Sequence, residues 1–575
     1  MIPQQLLQSV QAWRAGDPDA ATAAELGALV EAGNAAELAD RFAGALEFGT
    51  AGLRGVLGGG PNRMNRAVVR RTTAGLARYL KAHVPDVAKR GVVVGRDGRR
   101  MSPEFAEDTA SVLAAEGIPA WVFDDVVPTP VTAYATLELG AAAAVMVTAS
   151  HNPPEYNGYK VYWSNGAQII PPHDTGIAAA IDQVEAANTL RLMPRKEAEA
   201  KGLWRTVAPE VAEAYLQAIL ALRLHPESAA KLNVVYTAMH GVGGRWVEEA
   251  FRRANLGALH VVAAQHAPDG NFPTVRFPNP EEPGAMDLST ALAEQVGAEL
   301  VLANDPDADR LAVMARDADG KLRALTGNEV GVLLGHYTLT QRTPRPDKPL
   351  VITTIVSSAQ LKALAEATGA LYAETLTGFK WVANRAMELE KSDGATFLMG
   401  YEEALGYTVG TVARDKDGVG AALVFADLAA WCKGRGTTVL GYLEEIQRAH
   451  GLFVAGQRNF TFPGTEGAAV IRKIMQGFRT SHPSAVGPYA VHATKDYQSG
   501  TLPLPPSNVV AYELDGGSRI TVRPSGTEPK IKYYFELKES LAPGEPMQAA
   551  RARAAQKLES LQAAFLELAR SRGQP

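Results

Sequence analysis

Three aspartates alternate with other residues in Asn304-Asp-Pro-Asp-Ala-Asp-Arg310. Carboxylates so spaced around a proline turn can converge on one hard cation, and an all-oxygen donor set favours Mg²⁺ or Ca²⁺ over zinc. A solvated acidic turn reads the same way. The EF-hand pattern fails, since Arg310 and Arg316 stand where its glycine and closing glutamate belong. Three protein carboxylates leave coordination positions open, which suits Mg²⁺ shared with a phosphate oxygen. A second candidate is Ser150, with His151 and Asn152 after it and Lys160 ten residues on. The apolar run before it reads as a buried strand, and Pro153-Pro154 forbids a regular helix. A reactive serine needs such a stiff strand-end loop, and a turn with a satisfied serine has the same form.

Other polar loops accompany these two. Arg523-Pro-Ser-Gly-Thr-Glu-Pro529 offers a guanidinium, the hydroxyls of Ser525 and Thr527, and Gly526, over which a backbone can approach an anion. It is equally a turn between strands. Glu402 and Glu403 end an apolar strand, where they accept from sugar hydroxyls or lie exposed. Arg414-Asp-Lys-Asp-Gly418 is a mixed-charge loop with the same two readings. Lys380, in Thr377-Gly-Phe-Lys380, reaches a phosphate or is solvated. Arg54 sits in the glycine-rich stretch Glu47-Phe-Gly-Thr-Ala-Gly-Leu-Arg-Gly55, a phosphate contact or a connector.

The elements that must hold these loops follow one plan used three times. The first unit has strands at Gly91–Gly95, Trp121–Phe123 and 141–147, with a helix from Ser102 that carries a good cap and a proline in its first turn. The second has a strand from Leu232, a helix from about Arg245 and a strand at 299–303. The third has a strand at 350–354, a helix near Ser358 and a strand from Thr396. Alternating strands and helices predict α/β domains, and in such sheets ligands bind beyond the carboxyl ends of strands. Three polar strand ends therefore predict three walls of one cleft. From Leu452 the pattern changes to Pro- and Gly-rich alternating strands closed by an amphipathic helix, 547–571, which predicts a separate α+β domain. Helical spacing of Leu26, Leu29 and Val30 predicts helices leading into the first domain. The expected fold is thus three related α/β domains around a cleft plus a smaller C-terminal α+β domain, with limits 1–207, 208–325, 326–449 and 450–575.

Composition narrows the function. The 575 residues are 46% hydrophobic and 21% charged, which suits a globular chain of about four domains. A net charge of −5 argues against a dedicated nucleic-acid binder. One cysteine, Cys432, excludes an intrachain disulfide and a Cys-based zinc site. No apolar run spans a bilayer, and Met1-Ile-Pro-Gln-Gln lacks a secretory signal, so a cytoplasmic protein is expected. No P-loop, Gly-x-Ser-x-Gly or His-Glu-x-x-His occurs, and Gly241-Val-Gly-Gly-Arg-Trp246 carries Trp where a dinucleotide fingerprint ends in Gly or Ala. A phosphosugar that exchanges a phosphoryl group with serine would use the serine, the Mg²⁺ triad, the polyol-binding acids and the phosphate cradle together.

These residues closely resemble the α-D-phosphohexomutase superfamily of phosphoglucomutases and phosphomannomutases. Thr148-Ala-Ser-His-Asn-Pro153 is similar to its phosphoserine loop, Asp305–Arg310 to its metal loop, Tyr401-Glu-Glu-Ala-Leu-Gly406 to its sugar loop and Arg523–Pro529 to its phosphate loop. Gly49-Thr-Ala-Gly-Leu-Arg54 is similar to its N-terminal signature, and the order matches over nearly the whole chain. The resemblance implies that Ser150 carries the phosphoryl group and that its phosphate joins Asp305, Asp307 and Asp309 around Mg²⁺. It places Arg54, His151, Lys160 and Arg310 at the reacting phosphate, with Lys160 a candidate proton shuttle. Glu402 then holds sugar hydroxyls, while Arg523, Ser525 and Thr527 hold the distal phosphate; Glu403, Lys380, Arg414 and Gly526 complete the expected substrate set. A bisphosphosugar such as glucose 1,6-bisphosphate is the implied intermediate and activator. The expected activity is interconversion of sugar 1- and 6-phosphates by a monomer or weak homodimer, with glucose favoured. Ala404 stands where the superfamily's sugar loop usually has serine. Its Glu-Glu-Ala form resembles the branch with phosphopentomutase and sugar-bisphosphate synthase activities, so pentose is the runner-up. Phosphomannomutase activity and an inactive phosphosugar-binding relative are the other readings.

Overall fold

The strand Ala143–Val147 has every residue buried, and it carries the chain directly to Ser150. Its alanine, valine and methionine side chains fill both faces of a sheet, as a strand covered on both sides requires. The computed structural model describes residues 1–47, 52–462, 464–525 and 530–572, the side chains of 464–466 excepted. The chain divides into two compact units. One comprises Met1–Arg316, Leu322–Ala324 and Gly406–Gly434; the other comprises Asp317–Lys321, Leu325–Leu405 and Arg435–Pro575.

In the first unit, one six-stranded sheet is ordered Leu53–Val56, Tyr156–Trp163, Ala143–Val147, Val92–Arg96, Ala120–Val122, Trp204–Thr206. Its last four strands run parallel, and Tyr156–Trp163 is antiparallel to both neighbours. Register sets Met146 opposite Lys160 and Gly158 opposite Arg54, so Lys160 and Arg54 lie on the two successive strands to one side of the strand that delivers Ser150. Helices Arg66–His83 and Ser102–Ala115 cover the sheet with Val69, Leu76, Phe105 and Leu113 in its core. A second, five-stranded sheet is ordered Leu322–Ala324, Ala312–Arg316, Leu300–Ala303, Leu232–Thr237, Gly257–Val261. The three aspartates lie on the link between antiparallel Leu300–Ala303 and Ala312–Arg316. Helices Gln4–Gly16, Ala20–Glu31 and Ala35–Arg41 precede both sheets and close over Val10, Leu26 and Leu38.

In the second unit, Leu371–Thr375, Pro349–Thr354 and Thr396–Glu402 run parallel in that order. The helix Gly327–Gln341 starts with a capping box between Thr326 and Glu329. The C-terminal sheet is antiparallel, ordered Leu452–Thr461, Lys530–Glu539, Arg519–Pro524, Val510–Leu514, Tyr489–Asp496, Ala485–Val486. The helix Met547–Ser571 packs on it through Leu561 and Phe565, and Phe565 stacks on Phe478 at 5.1 Å. Three α/β units and a smaller α+β unit agree with the expected fold class. No helix among the described residues is long and apolar enough to cross a membrane.

Two local expectations are corrected. Arg54 lies on a strand, not in an open loop, because residues Leu53 to Val56 pair with Tyr159 to Tyr156. Ser102 does not cap its helix: Met101 precedes the helix with φ 65°, and the Ser102 hydroxyl instead donates to Asp97 at 2.8 Å.

Candidate active site

The Ser150 loop is held in an unusual backbone. Ser150 has φ 53°, in the left-handed region that costs a residue with a Cβ roughly 1 kcal/mol or more. Its N–H donates to Thr148 Oγ1 at 2.8 Å, which offsets part of that cost. Beneath the loop, the Arg99 guanidinium donates to four carbonyl oxygens: Ser150 and Asn152 at 2.5 Å, Pro153 at 2.9 Å and Tyr156 at 3.1 Å. Arg99 is itself buried, paired with Asp97 at 3.3 Å and stacked over Phe272 at 4.9 Å. So anchored, the Ser150 hydroxyl donates to Asp305 Oδ2 at 2.8 Å and lies 3.2 Å from His151 Nδ1.

The aspartate loop is shaped by the glycines of Gly241-Val-Gly-Gly-Arg-Trp246. Val242 N–H donates to the Pro306 carbonyl at 2.8 Å, and a Cβ on Gly241 would lie 2.4 Å from Pro306 Cα. Only a glycine lets the two loops approach so closely. Ala308, like Ser150, is left-handed, at φ 55°. The turn brings one oxygen from each of Asp305, Asp307 and Asp309 within 4.8 Å of the others, all three buried.

Two lysines balance this charge. Lys160 Nζ donates to Asp307 Oδ2 at 2.8 Å and Asp309 Oδ2 at 2.9 Å. Lys416 Nζ lies 3.3 Å from Asp309 and from Asp415. Thr129 donates to Asp307 Oδ2 at 2.6 Å. Burial and the neighbouring Asp307 and Asp309 charges push the Asp305 carboxyl well up, whereas Lys160 holds Asp307 and Asp309 below the usual carboxylate range against burial. Oδ1 of Asp307 and Oδ1 of Asp309 are buried without a hydrogen-bond partner. Orphaned buried carboxylate oxygens are costly. A hard cation on this oxygen cluster would satisfy them, and the donor set fits Mg²⁺.

Further positive charge gathers around Ser150. Arg54 donates to Asn152 Oδ1 at 2.8 Å, and Arg310 Nε lies 4.0 Å from Asp305 and Asp309. Burial, then the Arg310 charge, pulls the Arg54 guanidinium down to about 10. Burial, then Arg310 and Arg54, drives His151 well below the ordinary imidazole value, so it is neutral near pH 7. Like charges held together this way favour an anion among them, and a phosphoryl group on Ser150 would be one.

The second unit gathers its expected residues around one turn. Glu402 accepts the Gly378 N–H at 2.7 Å, and the Arg523 guanidinium donates to the Thr377 hydroxyl. Lys380 follows in the helix Phe379–Asp393, where it is buried and lies 5.6 Å over Trp381. Glu403 turns away from that group: its carboxylate accepts from Ser357 at 2.9 Å and Thr354 at 3.4 Å. Ser525 N–H pairs with the Lys530 carbonyl at 2.7 Å. Arg414 is half-buried on the first unit's loop with Lys416. Residues 48–51 of the N-terminal signature, and Gly526 and Thr527 of the phosphate loop, lie outside the described residues. Sequence reasoning passed over Arg99, Thr129 and Lys416. Only Lys416 left a trace, as the lysine in Arg414-Asp-Lys-Asp-Gly418.

The chain is similar to known proteins over nearly its whole length. Residues 45–188, 213–320 and 326–448 match the phosphoglucomutase/phosphomannomutase alpha/beta/alpha domains I, II and III, and 476–554 match the family's C-terminal domain. The chain is 36% identical over 568 residues to a human phosphopentomutase, covering 92% of this chain and 91% of that one. It is 35% identical over 560 residues to a mouse glucose 1,6-bisphosphate synthase, covering 93% and 90%. The fold matches the open form of parafusin, a phosphoglucomutase from Paramecium, with a TM-score of 0.67 at 18% identity, covering 90% and 95%. The chain therefore belongs to the phosphoglucomutase/phosphomannomutase family of phosphotransferase isomerases.

Proposed function

We propose that this protein is a phosphosugar mutase that moves a phosphoryl group between the two ends of its substrate by way of Ser150. The observation that carries the reading is the Ser150 hydroxyl at 2.8 Å from Asp305, inside a cluster whose other carboxylates retain orphaned oxygens. In this reading Asp305, Asp307 and Asp309 hold Mg²⁺, which when bound neutralises charge on the transferring phosphoryl group. Arg54 and Arg310 orient that group. Lys160 and Lys416 stand beside the carboxylates, where a lysine could take up the proton of the attacking sugar hydroxyl as the neutral amine and return it as the ammonium. His151, neutral, is a hydrogen-bond partner for the Ser150 oxygen and not a fixed charge. Glu402 would bind sugar hydroxyls, and Arg523 with Ser525, Gly526 and Thr527 the distal phosphate; Lys380 and Arg414 would add positive charge for the substrate. Glu403, tied to Ser357, would act on the shape of the loop. A bisphosphosugar is the intermediate, and the domain limits 1–207, 208–325, 326–449 and 450–575 go with the same reading.

Two sugars fit. The glucose 1-phosphate/6-phosphate pair is the first reading. The pentose 1-phosphate/5-phosphate pair is favoured by full-length similarity to a phosphopentomutase and by Ala404, which has no hydroxyl to offer a hexose. The test is kcat/KM for glucose 1-phosphate and ribose 1-phosphate, each with a catalytic amount of bisphosphate, in the wild type and in Ser150→Ala. Turnover in the wild type with loss of at least about 10⁴-fold in the variant is expected, as for removal of a nucleophile. Undiminished exchange in Ser150→Ala rules out the phosphoserine route, and a tenfold preference for one sugar, about 1.4 kcal/mol, assigns the substrate.

A further inference from the structure

The helix Gln360–Thr368 of the third α/β domain starts at Ala359, whose methyl group cannot cap it. The missing acceptor comes from the C-terminal sheet: the Glu536 carboxylate accepts the Ala359 N–H at 2.9 and 3.2 Å. Glu536 is buried, and register sets it opposite Arg519 on the next strand. Arg519 carries the connection further. One arm of its guanidinium donates to Glu374 at 3.1 Å; the other donates to the Ser357 carbonyl and lies 3.7 Å from Glu536. An apolar cluster lies alongside, with Ile355, Val356 and Leu376 of the third domain against Tyr497, Val509 and Tyr534 of the C-terminal one. These two domains of the second unit are thus fastened by buried contacts, with one arginine between two carboxylates.

Ile520 and Val522 of the strand Arg519–Pro524 enter the C-terminal core, so Arg519 and Arg523 share the face turned to the third domain. They stand about 13 Å apart along the strand. Arg523 donates to the Thr377 hydroxyl, and the next residue, Gly378, donates its N–H to Glu402 at 2.7 Å. Arg519 reaches the same sugar loop by another route. Ser357, whose carbonyl it holds, donates its hydroxyl to Glu403 at 2.9 Å and accepts the Glu403 N–H at 3.1 Å. A phosphate displaces a neutral hydroxyl from a guanidinium, so a substrate that takes Arg523 releases Thr377. The link through Arg519 and Ser357 then still ties the phosphate-loop strand to the sugar loop.

We infer, on the mutase reading of Glu402 and Arg523, that Arg519 is a positioning residue that fixes the separation of these two groups and so the length of sugar phosphate the protein accepts. It touches neither sugar nor phosphate. Glucose 1-phosphate and ribose 1-phosphate differ by one carbon between the phosphate and the hydroxyl that receives the second one, so a fixed separation discriminates between them. Their kcat/KM values are measured with a catalytic amount of bisphosphate in the wild type, Arg519→Lys and Glu374→Gln. Lysine keeps the charge and loses the fork of donors. Glutamine keeps the shape of Glu374, a half-buried residue, and removes the charge that anchors one arm of Arg519. Thermal unfolding checks that each variant is folded. The wild type should prefer one sugar by at least about tenfold, and each variant should reduce that preference by at least about fivefold. A merely structural role would lower both values by one factor and leave their ratio alone. An unchanged ratio in folded variants, or equal use of both sugars by the wild type, overturns the inference and leaves the mutase reading standing. A wild type that turns over neither sugar overturns the mutase reading and this inference with it. If Arg519→Lys does not fold, the ratio in Glu374→Gln decides.

Discussion

The Ser150 hydroxyl donates to Asp305 Oδ2 at 2.8 Å although the two residues are 155 positions apart and belong to different sheets. The bond joins the strand end of the first α/β sheet to the aspartate link of the second. The three carboxylates have opposite protonation tendencies. Asp305, buried and crowded by two carboxylates, is pushed up although the Ser150 hydroxyl and, at 3.1 Å, the Arg310 N–H donate to it. Asp307 and Asp309 carry the lysines and keep their charge. A phosphoryl group on Ser150 would bring oxygens to the same place, and the triad then needs more positive charge than Lys160 and Lys416 supply.

Mg²⁺ should therefore stabilise the protein through the triad. At a concentration about a hundredfold above Kd, a ligand that binds only the folded state adds about 2.7 kcal/mol. Thermal unfolding with and without Mg²⁺ should show a rise in midpoint for the wild type, and Asp307→Asn should lose most of it. An identical Mg²⁺ response in Asp307→Asn would place the cation elsewhere.

Arg99 should matter for activity without touching the reacting atoms. Its guanidinium donates to the carbonyls of Ser150, Asn152, Pro153 and Tyr156, and its partner Asp97 is fully buried. Arg99→Met leaves Asp97 unpaired, a loss of about 3–5 kcal/mol in the domain that contains it. A shift of about 1 Å in Ser150 costs catalysis on the order of a hundredfold. Arg99→Lys keeps the charge but not the fork of donors, so it should restore stability more than kcat. Equal recovery of both by lysine would show that charge alone holds the loop.

How far the site could be read from sequence depended on whether its parts were contiguous. Thr148–Pro153 and Asp305–Arg310 each present their chemistry within six residues, and alternation of strands and helices located the strand ends that carry them. Thr129 lies 178 positions from the aspartate it contacts, and Lys416 contacts Asp309 from a loop of alternating charge whose spacing favours no one member. Arg99 belongs to a run of three arginines within five residues, Arg96 to Arg100, and only packing distinguishes the buried one. Helices leading into the first domain followed from the spacing of Leu26, Leu29 and Val30, but nothing in that spacing foretold that there are three.

Gly241 illustrates the same limit and gives a prediction. Its motif fails as a dinucleotide fingerprint, and the structure gives the glycine another purpose, close contact with Pro306 in the aspartate loop. Gly241→Ala forces that loop to move, at about 1–3 kcal/mol. A weaker Mg²⁺ response with the Ser150 loop intact is expected, read by Mg²⁺ titration beside the wild type. Normal Mg²⁺ affinity would mean that the loop shifts without disturbing the triad.

Asp417 supplies a pH dependence whose sign can be worked out. Its carboxylate is fully buried; Oδ1 accepts the Tyr215 hydroxyl at 2.7 Å and the Gly420 N–H at 2.8 Å. Burial outweighs these bonds and pushes the carboxyl up to about 6. In the unfolded chain an aspartate titrates near 3.9, so between about pH 4 and 6 the folded protein holds a proton that the unfolded one has released. The protonated form thus contributes stability that is complete below about pH 4 and is lost as pH rises through about 6. The full swing is on the order of 3 kcal/mol. Asp417→Asn cannot titrate, and any packing difference it introduces is the same at every pH. The unfolding midpoint of the variant minus that of the wild type should therefore rise between pH 4 and 6.5 and level off above it. Parallel curves over that range would show that Asp417 stays ionised and that its hydrogen bonds outweigh its burial.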